Sequence, residues 1–451
     1  MDEEVDVVVI GAGITGLVTT FLLQEKGIRV LLLEKADRIG GQLHTLSDEG
    51  YLFESGPNTG VLSNCEVIKL FEKLHGDCSP QIAQQESKVR LIWKDGSFCP
   101  LPSNLSTALS TQLFSWHDKV NILFEPFREQ GNDPFESIAS LVKRRLGKSY
   151  LNYAVDPFIS GVYAGDPDRL VTRFALPKLY MLEHEYGSFI RGSIKRHKAL
   201  AEEKRQGISK AVFSVKGGFE QLVKAIGRQI PGDTIKTRTG KITTEPVAGG
   251  WLTTLTDQGK KIHSKYVITT VPAYALPAML PFITEKDMRP IASLDYAPII
   301  QIGVGLKDGS LVPKAFGGLV PSIEKEKVLG ILFNSSCYND RAPSGAASLS
   351  FFFGGMKHQE MLDLSDQELY SLVTDALHRM LSYPKGTRPD KFHVFRHSKA
   401  IPQYEADSER RIKIVEELQR QYKGLILAGG LRDGIGLADR IKQATRLANI
   451  V

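Results

Sequence analysis

The chain has 451 residues, too many for one small core, so two or three domains are expected. Apolar residues make up 42% and charged residues 24%, the balance of a soluble globular protein, and no apolar run approaches the roughly 18 residues that span a bilayer. The formal charge of +6 is too small for a nucleic-acid footprint, and the four scattered cysteines, Cys65, Cys78, Cys99 and Cys337, contain no CxxC pair that would suggest zinc or a dithiol.

The N-terminus, MDEEVDVVVIG, starts acidic and runs straight into a strand pattern, unlike a signal peptide, so a cytoplasmic location is the default. VDVVVI is a continuous apolar run of strand length, suited to a buried parallel strand. GAGITG follows, a GxGxxG with Gly11, Gly13 and Gly16. The next stretch places Ile14, Leu17, Val18, Phe21 and Leu22 at helical spacing and stops at Gly27. A second strand, IRVLLLE, ends on Glu34, with Lys35 beside it. Gly11 permits a tight turn, Gly13 has no side chain to block a pyrophosphate, and Gly16 lets helix and sheet pack closely. The helix start at Ile14 and Thr15 offers free N–H groups and a partial positive charge to phosphates. Glu34 can accept hydrogen bonds from ribose hydroxyls, and its charge repels a 2′-phosphate. A lone GxGxxG is weak evidence; in a strand–helix–strand setting with the acid in place it indicates a dinucleotide site.

Arg38-Ile39-Gly40-Gly41 comes next, where adjacent glycines let backbone N–H groups turn towards an anion. GYLFESGPNTG then carries Gly56, Pro57 and Asn58. These segments resemble the RxGG and GPN stretches of the flavin amine oxidase and protoporphyrinogen oxidase superfamily, which implies FAD as the ligand.

The rest of the chain reads as interleaved parts. Residues 1–83, 206–285 and 396–451 are assigned to three pieces of one nucleotide domain. Within the second piece, VFSVKGGFEQLVKAI is strand, Gly217-Gly218 turn and helix, and a hairpin arm leads to a buried strand that stops at Pro272. Residues 99–205 look mainly helical. Asp133-Pro134-Phe135-Glu136 is read as a helix start, with Phe135, Ile138, Val142 and Leu146 on one face. Residues 84–98 and 286–395 form a substrate domain, in which IIQIGVGL, LGILF and SLSFFF predict short strands of an antiparallel sheet roofing the cofactor. In the last piece GLILAGG is a strand ending near Gly429. Gly434-Ile435-Gly436 follows and opens a helix whose dipole would stabilise negative charge on the reduced cofactor. The expected fold is α/β: a Rossmann-like FAD-binding domain, an antiparallel-sheet substrate domain and a helical insertion.

The middle of the chain narrows the resemblance. DPFISGVYAGDPDRLVTRFALPKLYMLEHEYGSFIRG, residues 156–192, is similar to the characteristic stretch of the oxygen-dependent, FAD-containing protoporphyrinogen oxidase family, whose variants act on protoporphyrinogen or coproporphyrinogen III. IPQY, FGGLVPS and NDRAP are similar as well. The resemblance implies dehydrogenation of a porphyrinogen in haem biosynthesis, with O2 as acceptor and hydrogen peroxide as product. It implies that Arg90 pairs with a substrate propionate, that Gly161 and Gly165 lie close to the macrocycle, and that Leu319, Leu332 and Phe352 sandwich its rings. It also implies a ferrochelatase as neighbour. No metal and no nucleic-acid partner is expected. The sequence departs from the family pattern at Glu405-Ala406-Asp407 and at Arg432, where Gly-His and an aromatic residue are common. The Lys/Arg-rich stretch 186–205 suggests peripheral contact with the inner face of a membrane. A flavin amine oxidase, a carotenoid desaturase-like enzyme and a non-catalytic binding protein on the same scaffold are the competing readings.

Overall fold

The computed structural model describes residues 3–196 and 208–451, with Leu105 described by its backbone alone. Its strands, in chain order, are β1 (Glu3–Ile10), β2 (Val30–Leu33), β3 (Thr45–Asp48), β4 (Tyr51–Glu54), β5 (Gly60–Val61), β6 (Pro80–Ile82), β7 (Arg90–Lys94), β8 (Ser97–Pro100), β9 (Val212–Val215) and β10 (Ile235–Lys236). There follow β11 (Ile242–Val247), β12 (Gly250–Leu255), β13 (Lys260–Thr269), β14 (Tyr296–Leu306), β15 (Gly317–Leu319), β16 (Val328–Leu332), β17 (Ala347–Gly354), β18 (Lys391–Pro402) and β19 (Leu425–Leu427). The longer helices used below are α1 (Ile14–Glu25), α2 (Cys65–Lys73), α3 (Phe219–Gln229), α4 (Asp366–Leu381), α5 (Ser408–Gln421) and α6 (Leu437–Ile450).

The first sheet runs β10-β2-β1-β13-β12-β11, with β19 also beside β13. β10, β2, β1, β13 and β19 are parallel; β12 and β11 complete an antiparallel arm. The apolar runs are continuous because both faces are covered. Val7, Val9 and Leu32 pack against Leu17, Val18 and Phe21 of α1, with α3 and α6 in the same core. Val8, Ile10, Leu31 and Leu33 face the other way, onto Trp251, Leu255 and α5. α1 ends where Gly27 adopts φ +75°, a conformation that suits a residue without a β-carbon.

The second sheet runs β18-β14-β17-β16-β15-β7-β8. It is antiparallel except where β15 meets β7. Its strands come from residues 90–100, 296–354 and 391–402. Alternation along each strand separates two faces. Ile300, Ile302, Val304, Leu349, Phe351 and Phe353 pack against Leu369, Val373 and Leu377 of α4. The reading of 286–395 as short strands of an antiparallel sheet missed that helix. Where β3–β4 lies beneath β14, the inner face is built from glycines. A β-carbon on Gly303 would sit 2.7 Å from Phe53 Cδ1, and one on Gly305 would sit 2.9 Å from Tyr51 Cε1.

Two local expectations are corrected. β9, from VFSV, pairs with β5 and β6 in a separate three-stranded sheet and does not join the nucleotide sheet. The helix expected from Asp133 begins later, at Ile138, with Ser137 as its N-cap accepting the Ser140 N–H at 3.2 Å. The Asp133 carboxylate accepts the Phe135 N–H at 2.8 Å, an Asx turn that ends before the helix. Phe135 is therefore exposed, beneath the Arg173 guanidinium, while Ile138 and Val142 are buried.

Candidate flavin and substrate site

The fingerprint loop lies at the carboxyl ends of β1, β13 and β19, the position where open α/β sheets bind ligands. Gly11 has φ +102°, and a β-carbon there would sit 2.8 Å from Thr270 Oγ1. A β-carbon on Gly16 would overlap the Gly11 carbonyl oxygen. Gly13 caps α1 without any side-chain hydrogen bond, and a β-carbon on it would meet nothing within 4 Å. Open space in front of uncapped N–H groups at Ile14 and Thr15 is a cradle for a phosphate. Glu34 accepts the Ala12 N–H at 2.7 Å and the Ala36 N–H at 2.8 Å. Each carboxylate oxygen keeps a lone pair for a ribose hydroxyl. Lys35 is exposed next to it.

The RIGG turn is stitched to this loop. Gly40 N–H donates to the Ala12 carbonyl at 2.8 Å, and a β-carbon on Gly41 would approach Gly13 Cα to 3.1 Å. Arg38 holds the turn through the Gly41 carbonyl at 2.7 Å and has no acid partner among the described residues. Gly56 packs on the Gln42 carbonyl, and Gly60 lies against Leu437 at the start of α6. Gly56, Pro57 and Asn58 thus join the RIGG turn to the last helix. Gly429 packs on the Thr270 backbone with φ +78°, and Gly434 turns with φ +87° before Ile435 and Gly436, the N-cap of α6. These features fit FAD: a phosphate cradle, a ribose acid and three glycine turns around one groove.

α6 is not a bare positive end. Asp439, in its first turn, accepts the Gly436 N–H at 3.3 Å, so the helix carries a carboxylate where the dipole was expected to act alone. The first departure from the family pattern, Glu405-Ala406-Asp407, is absorbed by structural contacts. Glu405 pairs with Arg169 at 2.9 Å, and Asp407 pairs with the buried Arg411 at 2.9 Å. Arg432 is mostly buried, and its nearest acid oxygen, on Asp433, is 3.8 Å away.

Register brings four of the nominated substrate residues onto the inner face of the second sheet. One row of paired residues runs Arg90, Gly317, Leu332, Ser350 across β7, β15, β16 and β17. The adjacent row, two residues along, runs Ile92, Leu319, Gly330, Phe352. Cross-strand partners share a face, and so do residues two apart on a strand. Leu319, Leu332 and Phe352 therefore form one apolar strip. Arg90 stands at one end of it, exposed, with its guanidinium 5.5 Å from the Phe316 ring and no ion pair among the described residues. Three strand steps put its backbone about 14 Å from that of Ser350. Gly161, from the helical insertion, packs directly on Leu319. Gly165 does not reach this strip; its neighbours are Leu170 and Gln403 Oε1.

Sequence reasoning missed Ser350 and Asn334. Ser350 Oγ donates to Asn58 Oδ1 at 3.0 Å, and Asn334 Nδ2 donates to Ser350 Oγ at 2.9 Å. A serine inside a phenylalanine-rich strand was the available signal. His393 and His397 stand four apart in β18, but Asp48 and the Ser55 carbonyl take up their rings at 2.9 and 2.6 Å. No group of His, Cys, Asp or Glu able to hold a metal occurs among the described residues. Cys78 and Cys337 are buried, which pushes their thiols up to about 11 and about 12.

Known proteins are similar to this chain in sequence and in shape. The mitochondrial protoporphyrinogen oxidase of Nicotiana tabacum is 28% identical over 99% of this chain and 94% of its own. The coproporphyrinogen III oxidase of Bacillus subtilis is 24% identical over 98% of this chain and 97% of its own. A crystal structure from Exiguobacterium sp. 255-15 matches with a TM-score of 0.81 at 21% identity, covering 100% of this chain and 99% of that one. Residues 14–431 match the flavin containing amine oxidoreductases, and with its glycine turns, its ribose acid and this extent of similarity the chain belongs to that family of flavin enzymes.

Proposed function

We propose that the chain oxidises a porphyrinogen to a porphyrin, using FAD and dioxygen. The observation that carries this reading is the inner face of the second sheet: an apolar strip of Leu319, Leu332 and Phe352 that ends on Arg90, which has no ion pair among the described residues. A broad, flat, apolar ligand with a carboxylate at its rim matches it. A small amine would leave the strip wet and the guanidinium without a partner. The curated relatives above, which carry porphyrinogen oxidase names, support the same substrate class.

FAD, when bound, supplies the two-electron acceptor. The fingerprint N–H groups and Glu34 hold its nucleotide half, and the RIGG, GPN and GIG turns frame the rest. The Arg90 fork meets a propionate carboxylate and sets the register of the rings. Leu319, Leu332 and Phe352 cover the ring faces and exclude water. No side chain is needed to activate the substrate, because each meso C–H lies between electron-rich pyrroles. A porphyrinogen loses six hydrogens in three two-electron steps, so three O2 are reduced to three H2O2 per porphyrin. Protoporphyrinogen IX and coproporphyrinogen III assayed side by side test this. A peroxide-to-porphyrin ratio near three is expected, and no porphyrin from either compound overturns it.

We further infer that the helical insertion rests on an anionic bilayer. Trp116, Val120, Leu123, Phe124 and Phe127 recur every three or four residues and all point outward, with Trp116 68% and Phe127 78% exposed. Of the two acids on the same stretch, Asp118 is held by the Ser115 N–H and hydroxyl, and Glu125 is fully buried and paired with Arg145, also fully buried. This inverts the usual arrangement of a surface helix. Lys119 lies 4.9 Å from the Trp116 ring and Arg191 lies 5.9 Å from the Phe127 ring, a cationic rim suited to lipid phosphates. The basic stretch noted in the sequence lies partly outside the described residues, from 197 to 205. No helix among the described residues is long and apolar enough to cross a membrane.

A further inference from the structure

We infer that Asn334 and Ser350 are positioning residues: they fix which edge of the Asn58 amide faces the flavin. The inference rests on the flavin site proposed for the glycine turns. Asn58 Nδ2 donates to the Gly56 carbonyl at 3.2 Å, which leaves Oδ1 on the opposite side of the amide. Oδ1 receives the single Ser350 hydroxyl proton at 3.0 Å. Ser350, its proton committed, can only accept from its other neighbour, and Asn334 Nδ2 donates to it at 2.9 Å. The chain of bonds therefore has one direction, from Asn334 through Ser350 to Asn58.

Burial makes that direction binding. Ser350 is fully buried and Asn334 is 6% exposed, so no water competes for either group. Asn58 alone is half-buried, in the segment between the RIGG turn and the start of α6. Its second Nδ2 proton has no partner within the relay. Held this way, Asn58 presents a donor to the groove, and the flavin ring carries acceptors at its carbonyl and imine positions. Were the amide to turn over, its carbonyl would face those acceptors and the contact would become repulsive. A buried pair, Ser350 on β17 and Asn334 just after β16, thus sets the hydrogen bonding of a cofactor loop that comes from the other domain.

The test uses the full-length flavoprotein without any porphyrinogen. Ser350→Ala is expected to weaken FAD binding roughly tenfold and to lower the midpoint potential by about 30 mV, which is a tenfold change in the redox equilibrium of a two-electron couple. Ser350→Thr keeps the hydroxyl and should restore both values. In an Asn58→Ala background, Ser350→Ala should add nothing, because its effect passes through Asn58. Asn334→Asp, read at pH 8.5, gives a second route that leaves Ser350 in place. Its carboxylate takes the Ser350 proton, so the same losses are expected. Wild-type affinity and potential in Ser350→Ala or Asn334→Asp would overturn the inference, as would an undiminished effect of Ser350→Ala without Asn58. FAD that binds to a protein inactive on porphyrinogens would refute the substrate reading and leave this one standing. Wild-type protein that binds no FAD would refute both.

Discussion

Gly161 and Leu319 meet across the gap between the helical insertion and the second sheet, so closely that a β-carbon on Gly161 would overlap Leu319 Cδ2. Leu319 is also 3.2 Å from where a β-carbon on Gly330 would be. It is wedged between two glycines from different parts of the chain, and its rotamer sets one end of the apolar strip. Gly161→Val should displace Leu319 into the strip and reduce porphyrinogen turnover by at least tenfold while FAD stays bound. Gly161→Val with Leu319→Ala should recover part of the loss, since the two residues are in contact and their effects do not add. Equal turnover in Gly161→Val and wild type would show that the strip tolerates the shift.

Arg90 is expected to act on substrate alone. Removing a charge-assisted bond costs about 1.5–3 kcal/mol, or roughly 10- to 150-fold. Arg90→Ala should raise KM for the porphyrinogen or lower kcat/KM by that factor, with an unchanged flavin absorption spectrum. Arg90→Lys should recover little, because an ammonium lacks the fork. Wild-type kinetics in Arg90→Ala would return the residue to an ordinary surface role.

Stability should depend on pH through Glu54. Burial raises its carboxyl from 4.5 to about 7, even though the Thr45 hydroxyl and the Phe219 N–H donate to it at 2.8 and 2.9 Å. Between those two values the native state holds a proton that the unfolded chain has released. Its stabilisation is therefore fully present below about 4.5 and is lost as pH rises through about 7, an amount on the order of 3 kcal/mol. The Tm should fall from pH 5 to pH 7.5, and Glu54→Gln should flatten that slope. An identical slope in the variant would assign the dependence to other groups.

The exposed face of the insertion should bind lipid. Co-sedimentation with vesicles rich in phosphatidylserine is expected for the wild type and should weaken at high salt, as screened charges demand. Leu123→Ser with Phe127→Ser should abolish it without changing Tm, because neither side chain is buried. Retention of the double variant on vesicles, or self-association of the wild type that disappears in it, would assign the face to something other than a bilayer.

The glycine turns were legible in the sequence because their causes are local. A φ near +100° at Gly11, and close approaches at Gly16 and Gly41, are demanded within a few residues of a strand end, so residue type at fixed spacing reports them. The parallel sheet was legible for a similar reason: two-sided burial writes itself as VVVI and VLLL. The helix at Asp133 was misread because its cap signals, Asp, Pro and Glu, equally describe an Asx turn, and the tertiary packing of Ile138 and Val142 decided between them.

Sequence alone thus determined a dinucleotide fold and the glycine turns beside its fingerprint. Only the tertiary structure decided the face proposed for the substrate. Arg90, Gly317, Leu332 and Ser350 share a row because β7 pairs in one register with three strands more than two hundred residues later, and a slip of one residue in any strand would turn its member to the opposite face. The same holds for Asn334 and Ser350. An asparagine and a serine carry no local mark of a shared hydrogen bond, and their direction is fixed only by burial and by which partners the fold leaves within reach.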